Sequence, residues 1–453
     1  MAKLGANVAS QVAFSRARSI FASAERKDEL NRSAEIRSAR EVAERLGSMR
    51  GVMAKLGQMA SYVEFGLSEG ASGSLESLWD SMPPMSRDLV DEVIFEELGA
   101  KPEEIFEIWD PEPIAAASIG QVHRAVTKDK RAVAVKVQYP GIRETVGADL
   151  ANVKMLSKMM ALAFPNMNTD SIAEEIRKRL SEELDYRLEA QNQSLFYDYY
   201  KDHPFIIIPA VIPELSTSRV LVSELATGVR FQELIERDQR ERTMAAETIF
   251  RFVFRSLYRL LAFNGDPHPG NYLFQGDGRV VFLDFGLVKR FTPDEMDVFE
   301  RMIKAMVLDQ DPSAFRKAII EAGLISETSP ISDDQIREHF ESFYATVMED
   351  APFTMTREYS QQLIKHTFDT SSPVAKYIDV PDAFVIIQRI NLGLYALMSR
   401  LGARRNWRKI AEEIWPFILG EPSTELGVLE AKWLREGRGP EDSIRESNRQ
   451  LMA

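Results

Sequence analysis

"NGDPHPGNYLFQGDGRVVFLDFG", Asn264 to Gly286, decides how the rest of this 453-residue chain is read. Asp266 and Asn271 stand five apart, and Asp284 follows thirteen residues after Asn271. The apolar runs on either side of Asp277-Gly278 predict a hairpin with its turn at that pair, so Asp284 lies across a hairpin from Asn271. Asp266, Asn271 and Asp284 therefore set two carboxylates and one amide around a short strand pair.

Those residue types suit phosphoryl transfer. Such chemistry needs one carboxylate to orient or deprotonate the nucleophile, and oxygen ligands for the magnesium that bridges phosphate oxygens. The Asp-to-Asn interval is that of the kinase loop H-R-D-x-x-x-x-N, which makes Asp266 the candidate base and Asn271 and Asp284 the candidate metal ligands. Each piece is weak by itself. Their order along the chain carries the argument.

Upstream, "AVAVKV" places Lys136 on a predicted strand, in the setting of the kinase V-A-I-K lysine that contacts phosphates. In an alternating strand Val133, Val135 and Val137 share one face, while Ala134 and Lys136 share the other. A lysine so placed needs a carboxylate, and the acidic helix "SIAEEIRKRLSEELDYRLEAQNQ" offers Glu183, Asp185 and Glu189, of which Glu189 is the expected partner. The backbone near Glu224, Leu225 and Ala226, in "LVSELATG", is the expected contact for adenine.

Working outward, residues 86–110 predict two short helices, with Ser86 as N-cap and Pro102 in a first turn. Residues 113–138 predict three short antiparallel strands around "TKDKR". "FIIIPAVIPEL" and "RVLVSELATG" have strand character, and from Gly228 onward the chain reads as helical apart from the one hairpin. Thr292, Pro293 and Glu295 form a capping box with proline at the first helical position, so a helix begins within about eight residues of Asp284. The expected fold class is α+β: a bilobal protein-kinase-like fold with an N-terminal helical extension (1–85), an N-lobe (86–225) and a mostly helical C-lobe (226–453). Ligands favour the cleft between such lobes.

Composition limits the alternatives. The net charge is −13, from 69 acidic and 56 basic residues, which argues against a dedicated nucleic-acid binder. The chain has no cysteine, which removes disulfides, thiolate catalysis and zinc–cysteine sites. No apolar run approaches the roughly 20 residues of a membrane span, and no secretory signal is apparent; a cytoplasmic location is expected. Residues 1–50 carry ten Lys/Arg against six Asp/Glu. Two readings fit them: a solvated helix or leader, and peripheral contact with an anionic membrane.

From Val42 to Val63 apolar residues recur at steps of four and three, the stripe of one long helix, with Lys55, Gly57 and Gln58 on another face. A glycine in a helix interior costs about 1 kcal/mol against alanine, so Gly57 marks either a close approach to the backbone or an incidental residue on a solvent face.

Taken together, "KLGQ" at Lys55–Gln58, "AAASIGQVHRA" from Ala115, "VAVKVQYPG" around Lys136, "EELDYRLEA" from Glu182, "GDPHPGN" from Gly265 and "LDFG" from Leu283 resemble the UbiB/AarF family of atypical protein-kinase-like proteins, associated with ubiquinone and other isoprenoid-lipid metabolism. The resemblance spans about residues 40 to 300. It implies ATP or ADP and Mg2+ as cofactors, and an alanine-rich loop (Ala115, Ala116, Ala117, Ser118, Gly120, Gln121) in place of the kinase glycine-rich loop. It also implies a Lys-x-Gly-Gln helix over the active site, with Lys55 and Gln58 facing inward and Glu183 and Asp185 as the Glu-x-Asp element that binds Lys55. Such a helix fills the space of a peptide substrate, and no A-P-E segment follows "DFG", so protein phosphorylation in trans is not expected. The implied function is a magnesium-dependent ATPase or small-molecule or lipid kinase, with an isoprenoid lipid or quinone precursor as partner. Two other readings stay open. "GDPHPGN" also resembles the G-D-x-H-x-x-N loop of aminoglycoside- and choline-kinase-like phosphotransferases, and a nucleotide-regulated scaffold or lipid chaperone would use the same residues without turnover. His268, between two prolines, is expected to shape the loop rather than to act as base or ligand.

Overall fold

The computed structural model describes residues 85–117, 119–142, 184–265, 267–367, 372 and 374–437. The Lys-x-Gly-Gln helix with Lys55 and Gln58, Ser118, Glu183 and Asp266 lie outside the described residues. The chain divides into two compact units: one comprises residues up to Gln191 together with Ala210–Leu225, the other Asn192–Pro209 and everything from Ala226. Asn192–Pro209 thus groups with the second unit although it precedes Ala210–Leu225 in the sequence.

In the first unit, helix α1 (Arg87–Leu98) starts after Ser86, which is extended but makes no side-chain cap, and stops at Gly99, whose left-handed φ of 78° lets its N–H reach Phe95 O. The one-turn helix α2 (Pro102–Ile105) has its proline at the first position. There the chain turns to strand earlier than its sequence suggests: β1 runs from Phe106 to Ala117, so residues 106–110 are strand and not helix. β2 (Gly120–Thr127) and β3 (Ala132–Gln138) follow, and with β5 (Val220–Glu224) they make a four-stranded antiparallel sheet in the order β1-β2-β3-β5. The alternation read in "AVAVKV" sets its faces. Val133, Val135 and Val137 are wholly buried and pack with Val90, Val93, Ile94, Val220 and Val222, while Ala134 and Lys136 point the other way. Fully burying such a valine contributes about 1.5–3 kcal/mol, enough to pin the strand register.

Helix α3 (Tyr186–Tyr200) is the described part of the long acidic helix. The stretch "FIIIPAVIPEL" supplies only the two-residue strand β4 (Ile206–Ile207). Its prolines remove the donors a longer strand needs.

The second unit is built around helix α5 (Gln239–Leu260), which follows the short helix α4 (Phe231–Ile235). Asp238 caps α5 by accepting from Glu241 N, and the helix is buried along most of its length. It ends at Leu261, a non-glycine residue at φ 50°, which turns the chain into β6 (Ala262–Asn264). β7 (Tyr272–Phe274) and β8 (Val280–Phe282) form the expected hairpin, with Asp277 and Gly278 both in the left-handed region at its turn. β4 extends this hairpin by parallel pairing with β8.

Two further pairs escape the all-helical reading of this region: β6 with β9 (Val288–Arg290), and β10 (Phe353–Thr354) with β11 (Arg404–Arg405). At two or three residues each, they are too short to show a period. Helix α6 (Pro293–Ile303) starts with the capping box of Thr292 and Glu295. Then come α7 (Pro312–Glu321), α8 (Asp333–Met348), α9 (Arg357–Thr367), α10 (Asp382–Leu401), α11 (Trp407–Glu412) and α12 (Glu425–Gly437). Among the described residues no helix is long and apolar enough to cross a membrane.

Candidate active site

Lys136 sits mid-strand on β3, opposite Leu221 of β5 and Val122 of β2. Its Nζ donates to both carboxylate oxygens of Glu189, each at 2.8 Å, and lies 4.9 Å from the centroid of the Tyr186 ring. Glu189 and Tyr186 are three apart on α3, hence on one face. The carboxylate is 5% exposed and the ammonium side chain 17%. A charge so enclosed is tolerable only when paired, and the two-oxygen contact supplies that pairing. Of the three acids weighed as its partner, Glu189 meets Lys136. Asp185 instead accepts from Arg187 N at the start of α3.

The alanine-rich stretch is not a loop. Ala115, Ala116 and Ala117 are the last residues of β1, paired with Val122, Gln121 and Gly120 of β2. In an extended backbone alanine loses nothing to glycine, which explains why the stretch dispenses with glycines. The one glycine, Gly120, answers to packing: a Cβ there would run into Val137 O of β3 and press on the Tyr186 hydroxyl.

Gln121, expected at the nucleotide, has its side chain turned into the protein. It is 1% exposed, its Oε1 accepts from Met85 N, and its Nε2 lies 2.9 Å from His123 Nε2. His123 in turn contacts Asp110 O through Nδ1 at 3.0 Å and stacks on Trp109. Burial, the largest influence, holds the His123 imidazole below its ordinary pKa. Gln121 thus braces the hairpin from within. The segment expected to meet adenine ends β5: Glu224 N donates to Ala210 O and Leu225 N to Ala132 O, and the Glu224 carboxylate accepts from Ala210 N at 3.2 Å. Two amides of that segment are therefore already committed within its own unit.

In the second unit, the hairpin register sets the candidate metal ligands one position apart across the strand pair. Tyr272 pairs with Phe282, and one residue outward Leu283 N donates to Asn271 O at 3.0 Å, so Asn271 stands opposite the neighbour of Asp284. His268 shapes the loop: its Nδ1 accepts from Gly270 N at 2.9 Å at the head of the turn Pro269–Asn271. Gly265 N donates to Leu287 O, which ties the start of the loop to the strand pair β6–β9. Asp284 Oδ1 accepts from Gly286 N, and Phe285 is completely buried against Phe196 of α3.

Magnesium prefers oxygen ligands, and a carboxylate beside an amide oxygen suits it. Among the described residues no three His, Cys, Asp or Glu side chains form a metal-binding group; Asn271 is not of those types and Asp266 is not described.

Asn264 and Asn192 are contacts that sequence reasoning missed. Asn264 Nδ2 donates to Asp284 O at 2.7 Å, and Asn192 Nδ2 donates to Phe285 O at 3.1 Å. A signal existed for Asn264, which stands two residues before Asp266, where H-R-D-x-x-x-x-N has its histidine. For Asn192, three residues after Glu189 on the same helix, there was none.

A strand lysine held by a helix carboxylate, and a loop–hairpin–"DFG" sequence that runs into a capped helix, define a kinase-like protein of α+β class. The chain matches the ABC1 atypical kinase-like domain over residues 77–318, more than half of its length, and it belongs to that family. It is similar to the rat protein called "Atypical kinase COQ8B, mitochondrial" (33% identity, 59% of this chain and 51% of that protein) and to the yeast "Atypical kinase COQ8, mitochondrial" (26% identity, 83% and 76%). It also resembles an uncharacterised Mycobacterium tuberculosis protein at 31% identity over 61% of this chain and 58% of the other. The chain thus spans little more than half the length of several curated relatives. Among solved structures, the Rv3197–erythromycin complex from Mycobacterium tuberculosis aligns with a TM-score of 0.63 at 30% identity, covering 86% of this chain and 98% of that one.

Proposed function

We propose that this chain is a magnesium-dependent ATPase or small-molecule or lipid kinase that serves isoprenoid-quinone or related lipid metabolism and does not phosphorylate proteins in trans. The observation that carries the reading is the enclosed ion pair of Lys136 with Glu189, which aims a fixed ammonium at the phosphates of a nucleotide. Asn271 and Asp284 are the residues that would hold magnesium, which supplies charge neutralisation at phosphate oxygens. Asp266 is the orienting or basic group, Ala116 and its neighbours lie along the nucleotide, and the backbone near Glu224 and Ala226 meets adenine. Lys55 and Gln58 belong to the helix that excludes peptides. The short run from Asp284 to the Thr292 cap, eight residues later in the sequence, supports that exclusion, because it leaves little chain for docking a peptide. The quinone assignment rests on the family and on the mitochondrial relatives. Contact with an anionic membrane through the basic residues 1–50 is part of the same proposal.

The test follows the γ-phosphate of labelled ATP with magnesium, with and without anionic liposomes, using Asp284→Asn as the blank. Free phosphate, increased by liposomes, is the expected result. Rapid transfer to a soluble alcohol would favour the aminoglycoside- or choline-kinase-like reading. No turnover above the blank would leave a nucleotide-regulated scaffold.

A further inference from the structure

Consecutive carbonyls of the Asp284-Phe285-Gly286 segment are held by two side-chain amides from different elements. Asn264, at the end of β6, donates to Asp284 O, and Asn192, on α3, donates to Phe285 O. The Asn192 amide has only one orientation that satisfies its surroundings. Arg290 Nη2 donates to Asn192 Oδ1 at 3.3 Å, which turns the NH2 end toward Phe285. Phe285 is locked as well, its ring centroid 5.1 Å from that of Phe196, four residues further along α3. The carboxylate of Asp284 accepts from Gly286 N at 2.9 Å, and the Asn264–Val288 pairing closes the segment from behind.

A segment that switched between two arrangements would have to break these contacts together, and the short run to α6 offers no long loop to order in exchange. We infer that Asn192 and Asn264 are positioning residues that preset Asp284 as a metal ligand, so that this site needs no ordering of an activation segment. The inference rests on the proposed function in treating Asp284 as a ligand. Its structural half, that the two amides hold the segment, stands on the contacts alone.

The test uses the full chain with a fluorescent ADP analogue and a magnesium titration. Asn192→Leu and Asn264→Leu keep side-chain size and remove the donor, whereas Asn264→His restores one. Each leucine variant is expected to raise the magnesium midpoint for nucleotide binding about threefold to tenfold, the worth of one amide–carbonyl bond. Affinity for the analogue in EDTA should not change. Hydrogen exchange at the amides of Phe285, Gly286 and Leu287 should quicken, and Asn264→His should recover most of the midpoint.

Wild-type midpoints and wild-type exchange in folded leucine variants would overturn the inference. So would an equal loss of affinity in EDTA, which is what a merely structural role produces. Asp284→Asn run alongside separates the two failures. If that variant keeps normal magnesium dependence, the proposed function is what fails; if it loses the dependence while the leucine variants keep theirs, the inference alone fails.

Discussion

Lys136 Nζ stands 2.8 Å from both carboxylate oxygens of Glu189, a strand cation met by a helix anion 53 residues away in sequence. Removing one partner of an enclosed pair strands the other, at a cost of about 3–5 kcal/mol when burial is complete. Glu189→Gln is therefore expected to lower the melting temperature and to weaken ATP binding at least tenfold. Lys136→Met should weaken ATP binding comparably. Calorimetric titration with ATP checks both, and wild-type affinity in either variant would remove the pair from the site.

Ala116 and Gly120 should respond in opposite ways to exchange of a methyl group. Ala116→Gly, at an exposed position of β1, frees a backbone that alanine keeps extended, so the ratio of ATP to ADP affinity should shift while stability falls by no more than about 1 kcal/mol. Gly120→Ala drives a methyl into the carbonyl of Val137, which belongs to the sheet and cannot yield, and should cost about 1–3 kcal/mol. Denaturant melts alongside nucleotide titrations distinguish the two.

Gly393 lies inside helix α10 for a reason visible only in three dimensions: a Cβ there would stand 2.6 Å from Pro267 Cγ. Pro267 follows Asp266 directly. Gly393→Ala gains up to about 1 kcal/mol of helix propensity but must push that proline aside. Turnover should fall more than tenfold with little change in melting temperature. Unchanged turnover would mean the loop absorbs the shift without moving its carboxylate.

Glu430, on α12, is buried and bonded to two arginines of α5, with Arg251 Nη1 at 2.8 Å and Arg255 Nε at 2.7 Å. Burial pulls its carboxyl upward, but Arg255 and Arg251 outweigh burial and hold it well below the ordinary range. Glu430→Gln leaves two buried guanidiniums short of charge and should cost about 3–5 kcal/mol, read as a drop in melting temperature.

Beside Glu430, His203 is depressed below 6.5, chiefly by burial. Its folded pKa lies under the unfolded value, so the unfolded chain binds the extra proton first as pH falls. The stability it contributes is thus complete above about pH 6.5 and declines below it. His203→Asn should flatten the melting temperature between pH 6.5 and 5 relative to wild type, although His123, depressed in the same way, keeps part of the slope.

Much of this molecule can be read from one dimension because its signals are local. The alternation of Val133, Val135 and Val137 against Lys136 is a period of two that any pleated strand must obey. The Asp277-Gly278 turn, the Thr292–Glu295 capping box and the short interval after "DFG" are likewise set by backbone sterics over a few residues. The alanine-rich loop implied by the resemblance is strand instead, as the reading of residues 113–138 predicts: Ala115, Ala116 and Ala117 pair with Val122, Gln121 and Gly120. That pairing depends on β2, not on the alanines.

Sequence by itself determined the kinase-like order of motifs, the faces of β3, the hairpin and the cap of α6, since each follows from periodicity or turn chemistry within about ten residues. Only the tertiary structure decided that Gln121 is buried, that Glu189 rather than Asp185 meets Lys136, that Asn192 and Asn264 grip successive carbonyls, and that Gly393 makes room for Pro267. Each of these is a contact between residues whose partner is chosen by packing. A carboxylate or an amide has the same chemistry wherever it stands in a sequence, and what it bonds is settled when apolar burial brings distant segments together and every enclosed polar group must find a partner.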